Sequence, residues 1–432
     1  MRTLLLVSLL LGKLGLCAQA YDTYFTGNPA DAATTPRGGV CLMGGATEHD
    51  GAMRWFLDRA DGGDVLVLRA SGSDGYNDYF YTELGVTLNS VETIVFNHAA
   101  ADQAYVQDRI RRAEAIWLAG GDQWDYVSYW RGTAIDSLIN DAIRRRNVVV
   151  GGTSAGMAIL GGYYFSAENG TVTSAAALSD PYDARVRVDS AAFLRVDHLR
   201  HVITDTHYDA PDRRGRHVAF LARALTDYGA PVYGIACNEY TAVCVDENGL
   251  ARVYGEYPTY PETAYFLRVN CGETDNVPER LSPGQPLDWR ASGRAVKVYK
   301  VFGTDDGANT FDLSDWQTGS GGVWEDWSVD NGTLNVVAGD QPDCAVVSIR
   351  DLPGAPAVRV THLPAARTLR IETTTEVLSV VLYDASGRSV PHHCNAQKSE
   401  VTYGGSAPAA GVCFLGVRTT GGMVYHKFLR TT

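Results

Sequence analysis

The 432-residue sequence is 45% hydrophobic and 20% charged, with a formal net charge of −13. That composition excludes a disordered chain, and the acidic balance without a long basic run excludes nucleic acid and anionic membrane surfaces as partners of the whole molecule. The length has room for two or three domains.

Residues 1–20, "MRTLLLVSLLLGKLGLCAQA", read as a secretory signal peptide. Arg2 gives the positive start, Leu4 to Leu11 the apolar stretch, and Ala18-Gln19-Ala20 the small residues that cleavage needs. Gly12 and Lys13 interrupt a run already too short to span a bilayer. A soluble exported protein with no membrane span is expected. Cys17 falls in this segment. Seven cysteines remain: Cys41, Cys237, Cys244, Cys271, Cys344, Cys394 and Cys413. An oxidising destination permits disulfides, but the odd count leaves at least one thiol free or paired with another chain.

From Gly38 to about Tyr254, strand-like and helix-like segments alternate. "GGVCLMGG" (38–45) is an apolar run closed by glycines, and "AMRWFLDRA" (52–60) has helical spacing. "DVLVLRAS" (64–71), "VETIVF" (91–96), "AEAIWLAGG" (113–121) and "NVVVGG" (147–152) read as buried strands. Between the last two lies one long helical stretch, residues 124–146. Continuous apolar strands separated by helices predict a parallel sheet with helices on both faces. Sites in such sheets lie at the carboxyl ends of strands. Gly44-Gly45, Gly120-Gly121 and Gly151-Gly152 all fall there, which predicts a crevice.

Residues 161–200 give no clear pattern. "HLRHVITDTHYDAPDRRGRHVAFLARAL" reads as strand, loop and helix, and residues 232–255 as two strands, a hairpin. After Tyr265 the helical period disappears. Alternating strands with Gly, Asp and Asn turns form a β-rich appendix. From about Gln341 to Thr432, turns at roughly ten-residue spacing predict a separate β-sandwich.

Gly152-Thr153-Ser154-Ala155-Gly156 fits the G-x-S-x-G turn that carries a nucleophile from a strand into a helix. Small neighbours let the backbone bend and a substrate approach. The N–H of Ala155 would lie at a helix N-terminus, where it can stabilise an oxyanion. The alternative is a helix cap at Ser154. A serine hydroxyl needs a base. His49, His98, His198, His201, His207 and His217 lie in the main domain, and His207 follows a strand end. Glu239, near another strand end, could orient the imidazole, with Asp205 and Asp209 as local alternatives. The order Ser, His, Glu differs from that of α/β-hydrolases, where the acid precedes the histidine. His198 and His201 have H-x-x-H spacing without further ligands, so no metal site is expected. No G-x-G-x-x-G follows a strand, so no dinucleotide site is expected either.

"WLAGGDQWDYV" (117–127), "GGTSAGMAIL" (151–160), "ITDTHYDAPDRRGR" (203–216) and "YGIACNEYTAV" (233–243) together resemble cyanophycinases and the S51 serine peptidases, over roughly residues 38–255. The resemblance implies a flavodoxin-like, class I glutamine-amidotransferase-like α/β fold and needs no cofactor. It implies Ser154 as nucleophile, His207 as base and Glu239 as orienting acid. It further implies an oxyanion hole from Gly121 and Ala155, with Asp122, Gln123, Asp205, Arg213 and Arg216 facing substrate. The family commonly has Asp-Gln-His-Phe here followed by two spaced arginines. This sequence has Asp205-Thr206-His207-Tyr208, with Pro211 in place of the first arginine and Arg213 at the second.

The C-terminal segment, through "VVLYDASGR" (380–388) and "GVCFLGVRTTGGMVYHKFLR" (411–430), resembles the type IX secretion sorting domain of Bacteroidota. That implies export through both membranes with the type IX machinery as partner, to the cell surface or the medium. The expected organisation is a signal peptide (1–20), a peptidase-like domain (21–340) with its appendix from about 265, and a sorting domain (341–432). The expected activity is hydrolysis of peptide bonds in cyanophycin or aspartyl-containing peptides through an acyl-enzyme. A non-catalytic surface binding protein on the same scaffold, or a related esterase or amidohydrolase, are the alternatives.

Overall fold

The computed structural model describes residues 20–430, apart from 191–192, 230–231, 274–275, 343, 345–357, 364–367, 374–376, 385–391, 395–399, 404–410 and 420–421. The signal segment lies outside these residues except for Ala20. The chain divides into two compact units, Met1–Asp343 and Cys344–Thr432.

In the first unit a ten-stranded sheet has a parallel centre. Its strands run Ser90–Phe96, Asp64–Arg69, Ala115–Leu118, Val149–Thr153 and Val40–Met43. Antiparallel strands flank this centre. Tyr21–Gly27 lies on one side, and Ala242–Val245, Leu250–Tyr254, Asn309–Asp312 and Gly319–Ser320 follow in order on the other. The central strands are buried along nearly their whole length, as a sheet covered on both faces requires. Alternation sorts their side chains: Cys41 and Met43 join one core with Phe56 and Trp117, while Val40 and Leu42 join another.

The parallel sheet is present, but the expectation of helices on both of its faces is corrected here. A second, eight-stranded sheet carries Val202–Asp205 and Tyr233–Cys237 as a parallel pair, then extends through Thr263–Val269, Val296–Phe302, Gly322–Asp330 and Thr333–Ala338. One hydrophobic cluster contains Val243 and Phe311 from the first sheet and Ile235, Phe266 and Tyr299 from the second. One face of the first sheet is therefore shared between helices and a sheet. The β-rich stretch after Tyr265 completes both sheets, because its alternating apolar residues need a face to bury against.

The long stretch 124–146 forms two helices, Gln123–Trp130 and Ala134–Arg145. Gly132 at φ +76° makes the turn between them. The Thr133 hydroxyl accepts from the Ile135 N–H and caps the second helix, whose last turn carries Arg144 and Arg145. The segment 232–255 holds three strands, not two. Tyr233–Cys237 stays in the second sheet, and the hairpin is Ala242–Val245 with Leu250–Tyr254 in the first. The chain thus crosses between sheets at residues 238–241, where Glu239 sits.

The second unit has two antiparallel sheets, Val358–Leu363, Thr368–Thr373, Glu400–Tyr403 and His392–Cys394 in one, and Val377–Asp384, Gly411–Thr419 and Gly422–Arg430 in the other. Leu369, Ile371 and Val401 of the first bury against Val380, Leu382, Leu415 and Val417 of the second.

Candidate active site

Ser154 stands between the strand Val149–Thr153 and the short helix Ala155–Ala158, at φ 52° and ψ −113°. A non-glycine residue there stores strain, of order 1–3 kcal/mol, and persists only where its surroundings fix it. The two flanking glycines do that. A Cβ on Gly156 would lie 2.0 Å from the Leu118 carbonyl oxygen, and one on Gly152 would lie 2.6 Å from the Gly156 carbonyl carbon. Only bare backbone fits both positions, which is why the turn reads G-x-S-x-G.

His207 follows the strand Val202–Asp205 and Glu239 follows Tyr233–Cys237, so adjacent parallel strands present both at one edge. Ser154 Oγ lies 2.8 Å from His207 Nε2, and His207 Nδ1 lies 2.7 Å from Glu239 Oε1. The His207 and Glu239 side chains are 24% and 29% exposed, so the row is open to solvent. A proton on Nδ1, directed at the carboxylate, leaves Nε2 as an acceptor for the serine hydroxyl.

Three consecutive carbonyls hold these loops together. The Met43 carbonyl accepts from Ser154 N–H at 3.0 Å, that of Gly44 from His207 N–H at 2.8 Å, and that of Gly45 from Tyr240 N–H at 3.0 Å. Gly44 N–H in turn donates to the Thr241 carbonyl at 2.9 Å. The end of the strand Val40–Met43 is thus the common anchor of all three loops. Gly45 also makes room for the imidazole: a Cβ there would lie 2.4 Å from His207 Cε1. The paired glycines were visible in the sequence as a strand end, but their partners were not. The Asp209 carboxylate accepts from the Glu239 N–H at 3.0 Å and steadies the acid's loop.

The Gly120-Gly121 turn also reaches the site. A Cβ on Gly120 would lie 3.7 Å from Ser154 Cβ, while one on Gly121 meets the Tyr126 ring. The Tyr126 hydroxyl donates to the Ala119 carbonyl at 2.7 Å and fixes this turn. Ala155 is the first residue of its helix, so its N–H has no partner within the helix. The Asp122 carboxylate caps the helix Gln123–Trp130 through Trp124 N–H, and Gln123 Nε2 lies 3.5 Å from the Phe165 carbonyl.

The arginine cluster divides. Asp205 and Arg216 are each 3% exposed and form a two-pronged ion pair inside the core, so the expectation that they face substrate is corrected. Burial would raise the Asp205 carboxyl, but Arg216 outweighs it and holds the group below its usual range. Burying two charges requires such a pairing. Arg213 is half-buried and donates to the Thr206 carbonyl at 3.0 Å. Among the described residues it makes no ion pair. Arg214 pairs with Asp212 on the surface. His217 is fully buried between the Tyr208 hydroxyl and the Ile203 carbonyl, and His198 bonds the Glu247 carbonyl. Neither faces Ser154.

One comparison with known proteins falls on this same region. Residues 64–253 match the family model described as Peptidase family S51. A cyanophycinase from Synechococcus elongatus is 26% identical over 230 residues, covering 51% of this chain and 66% of that protein, just under two thirds of its length. A cyanophycinase from Geminocystis herdmanii is 26% identical over 231 residues, covering 51% of this chain and 78% of that protein. Among solved structures, a peptidase from an acI-B1 Actinobacterium aligns with 64% of this chain and 98% of its own, at 11% identity and a TM-score of 0.40. The family model spans the segment that carries Ser154, His207 and Glu239, and with the cyanophycinases at low identity it supports a likeness to the S51 family.

Proposed function

We propose that this chain is an exported serine peptidase of the cyanophycinase type, acting on cyanophycin or aspartyl-containing peptides. Ser154 attacks the scissile carbonyl while His207 Nε2 takes the hydroxyl proton, and Glu239 holds the imidazole and balances its charge. The N–H groups of Ala155 and Gly121 receive the oxyanion. Collapse of the tetrahedral intermediate returns the proton to the leaving amine and leaves an acyl-serine. Water activated by the same imidazole then releases the acid. The observation that carries this reading is the continuous row Ser154–His207–Glu239, with contacts of 2.8 and 2.7 Å, on a strained strand-to-helix turn.

Arg213 is the guanidinium proposed to grip a substrate carboxylate, since it is the arginine of its cluster without an ion pair among the described residues. Asp122 and Gln123 are proposed to border the same substrate. The second unit is proposed to be a β-sandwich sorting domain for type IX secretion, a reading supported by its two antiparallel sheets and their common core. Export rests on the apolar N-terminal segment.

The test is incubation with cyanophycin and an aspartyl peptide library, followed by mass analysis of the products. Wild type should yield fragments and Ser154→Ala none. Fragments from Ser154→Ala at the wild-type rate would remove Ser154 from the chemistry. Failure of wild type to cleave any member would favour a binding role for the scaffold.

A further inference from the structure

Cys41 and Cys244 face each other across two strands of the first sheet. They are register partners where Val40–Met43 pairs antiparallel with Ala242–Val245. Gly44 N–H donates to the Thr241 carbonyl, so those two residues form a hydrogen-bonded pair. Alternation along the ladder then makes Cys41 and Cys244 a non-hydrogen-bonded pair. At such a pair the Cα atoms stand about 4.5 Å apart, inside the range that a disulfide spans. The two thiols are in contact, with their Sγ atoms 3.5 Å apart. Bonding requires a further approach of roughly 1.5 Å, which lies within the reach of side-chain rotation.

Both cysteines are fully buried, in the core cluster that holds Ala52, Phe56 and Trp117. Burial pushes the Cys244 thiol well above its usual range. A neutral, enclosed thiol is a poor nucleophile, so the folded sheet shields the pair from oxidants and reductants alike. Cys237 is a third buried thiol, but it belongs to the second sheet and joins the other core, with its Sγ 3.7 Å from the Leu42 carbonyl. The position of the pair gives it a consequence. Cys41 lies in the strand whose end anchors the loops of Ser154, His207 and Tyr240. Cys244 lies in the strand that the chain enters just after Glu239. The two are 203 residues apart in sequence, and a cross-link that closes so long a loop constrains the unfolded chain most.

We propose that Cys41 and Cys244 form a cross-strand disulfide, closed by an organic disulfide oxidant while the sheet assembles, that staples the anchor strand to the strand after Glu239. One cysteine thiolate attacks a sulfur of the oxidant and expels a thiolate, which leaves a mixed disulfide. The second cysteine thiolate attacks the protein sulfur of that mixed disulfide and expels the other half of the oxidant. Two cysteine thiols and one oxidant disulfide thus give one protein disulfide and two oxidant thiols, which take up the two cysteine protons. Closure of the pair is independent of the peptidase reading; its effect on Ser154 rests on that reading.

The test is refolding of the full chain, reduced and unfolded in guanidinium chloride, into buffer with glutathione disulfide and, in parallel, into glutathione alone. Remaining thiols are alkylated and the peptides mapped without reduction. The oxidised wild type should give a peptide pair joined through Cys41 and Cys244, a result that needs no variant. The gap in melting temperature between the two buffers should be about 5 °C larger in wild type than in Cys41→Ala/Cys244→Ala. Alkylation of both cysteines in the folded oxidised protein, or a link from Cys41 to Cys237 instead, overturns the site. A Cys41–Cys244 link without that increment overturns the staple. Fluorophosphonate labelling of Ser154 is read across a urea series, and its midpoint should lie higher in the oxidised protein; an unmoved midpoint overturns the effect on Ser154. Labelling without the link removes the disulfide and leaves the peptidase standing. The link without labelling in either sample keeps the disulfide and counts against the peptidase.

Discussion

Gly45→Ala probes the carbonyl anchor and the imidazole together. The added methyl would lie 2.4 Å from His207 Cε1 and 2.5 Å from Nε2, at a backbone φ of +120°. Carbon atoms rest about 3.5 Å apart, so the ring must withdraw by about 1 Å. It cannot keep both contacts while doing so, because Ser154 and Glu239 hold its two nitrogens at 2.8 and 2.7 Å. A displacement of about 1 Å costs roughly a hundredfold in rate, or about 2.7 kcal/mol of barrier. The assay is the second-order rate of fluorophosphonate labelling, followed by intact mass, with circular dichroism to check the fold. Gly85→Ala is the control: Gly85 has φ +71° and no atom within 4 Å of an added Cβ, so it carries the backbone strain without touching the site. It should label at the wild-type rate. A folded Gly45→Ala protein that labels within about threefold of wild type would refute the reasoning, since a hundredfold loss is expected.

Ser154→Gly should abolish labelling yet stabilise the protein by about 1 kcal/mol, because glycine accepts the backbone angles that serine holds under strain; a melting temperature below wild type would contradict this. Arg216→Ala should strand the Asp205 carboxylate in the core and cost about 3–5 kcal/mol, read by urea denaturation; a loss under 1 kcal/mol would mean the pair is not buried as described. Burial pushes the His217 imidazole down to about 4. Below about pH 6.5 the unfolded chain takes up a proton that the folded one refuses, so stability falls as pH drops towards 4, by up to about 3 kcal/mol. His217→Gln should flatten that fall in a melting series across the window, and an unchanged slope would remove His217 as its source.

The sequence carried the candidate row in local signals: an apolar run entering a glycine-flanked serine, and a histidine and a glutamate each just past a strand. The structure places those three side chains in hydrogen-bonding reach of one another. Sheet membership was not legible. Both Tyr233–Cys237 and Ala242–Val245 are short and apolar, and nothing local says that the chain changes sheets between them. Asp205 and Arg216 read as substrate-facing because a buried ion pair and an accessible one look alike until the fold encloses them. The break at Gly132 was hidden by helical spacing that continued on both sides. A cavity of about 770 Å³ is lined in part by Glu48, Tyr240, Tyr260 and Asp305, a long-range juxtaposition that no window of sequence contains.

The most direct measurement is labelling of the folded wild-type chain with a fluorophosphonate, followed by peptide mass mapping. The proposed mechanism predicts one adduct, on Ser154, abolished in Ser154→Ala and strongly slowed in His207→Ala and Glu239→Gln. An unlabelled folded protein, or labelling of Ser154 that is indifferent to His207, would contradict it.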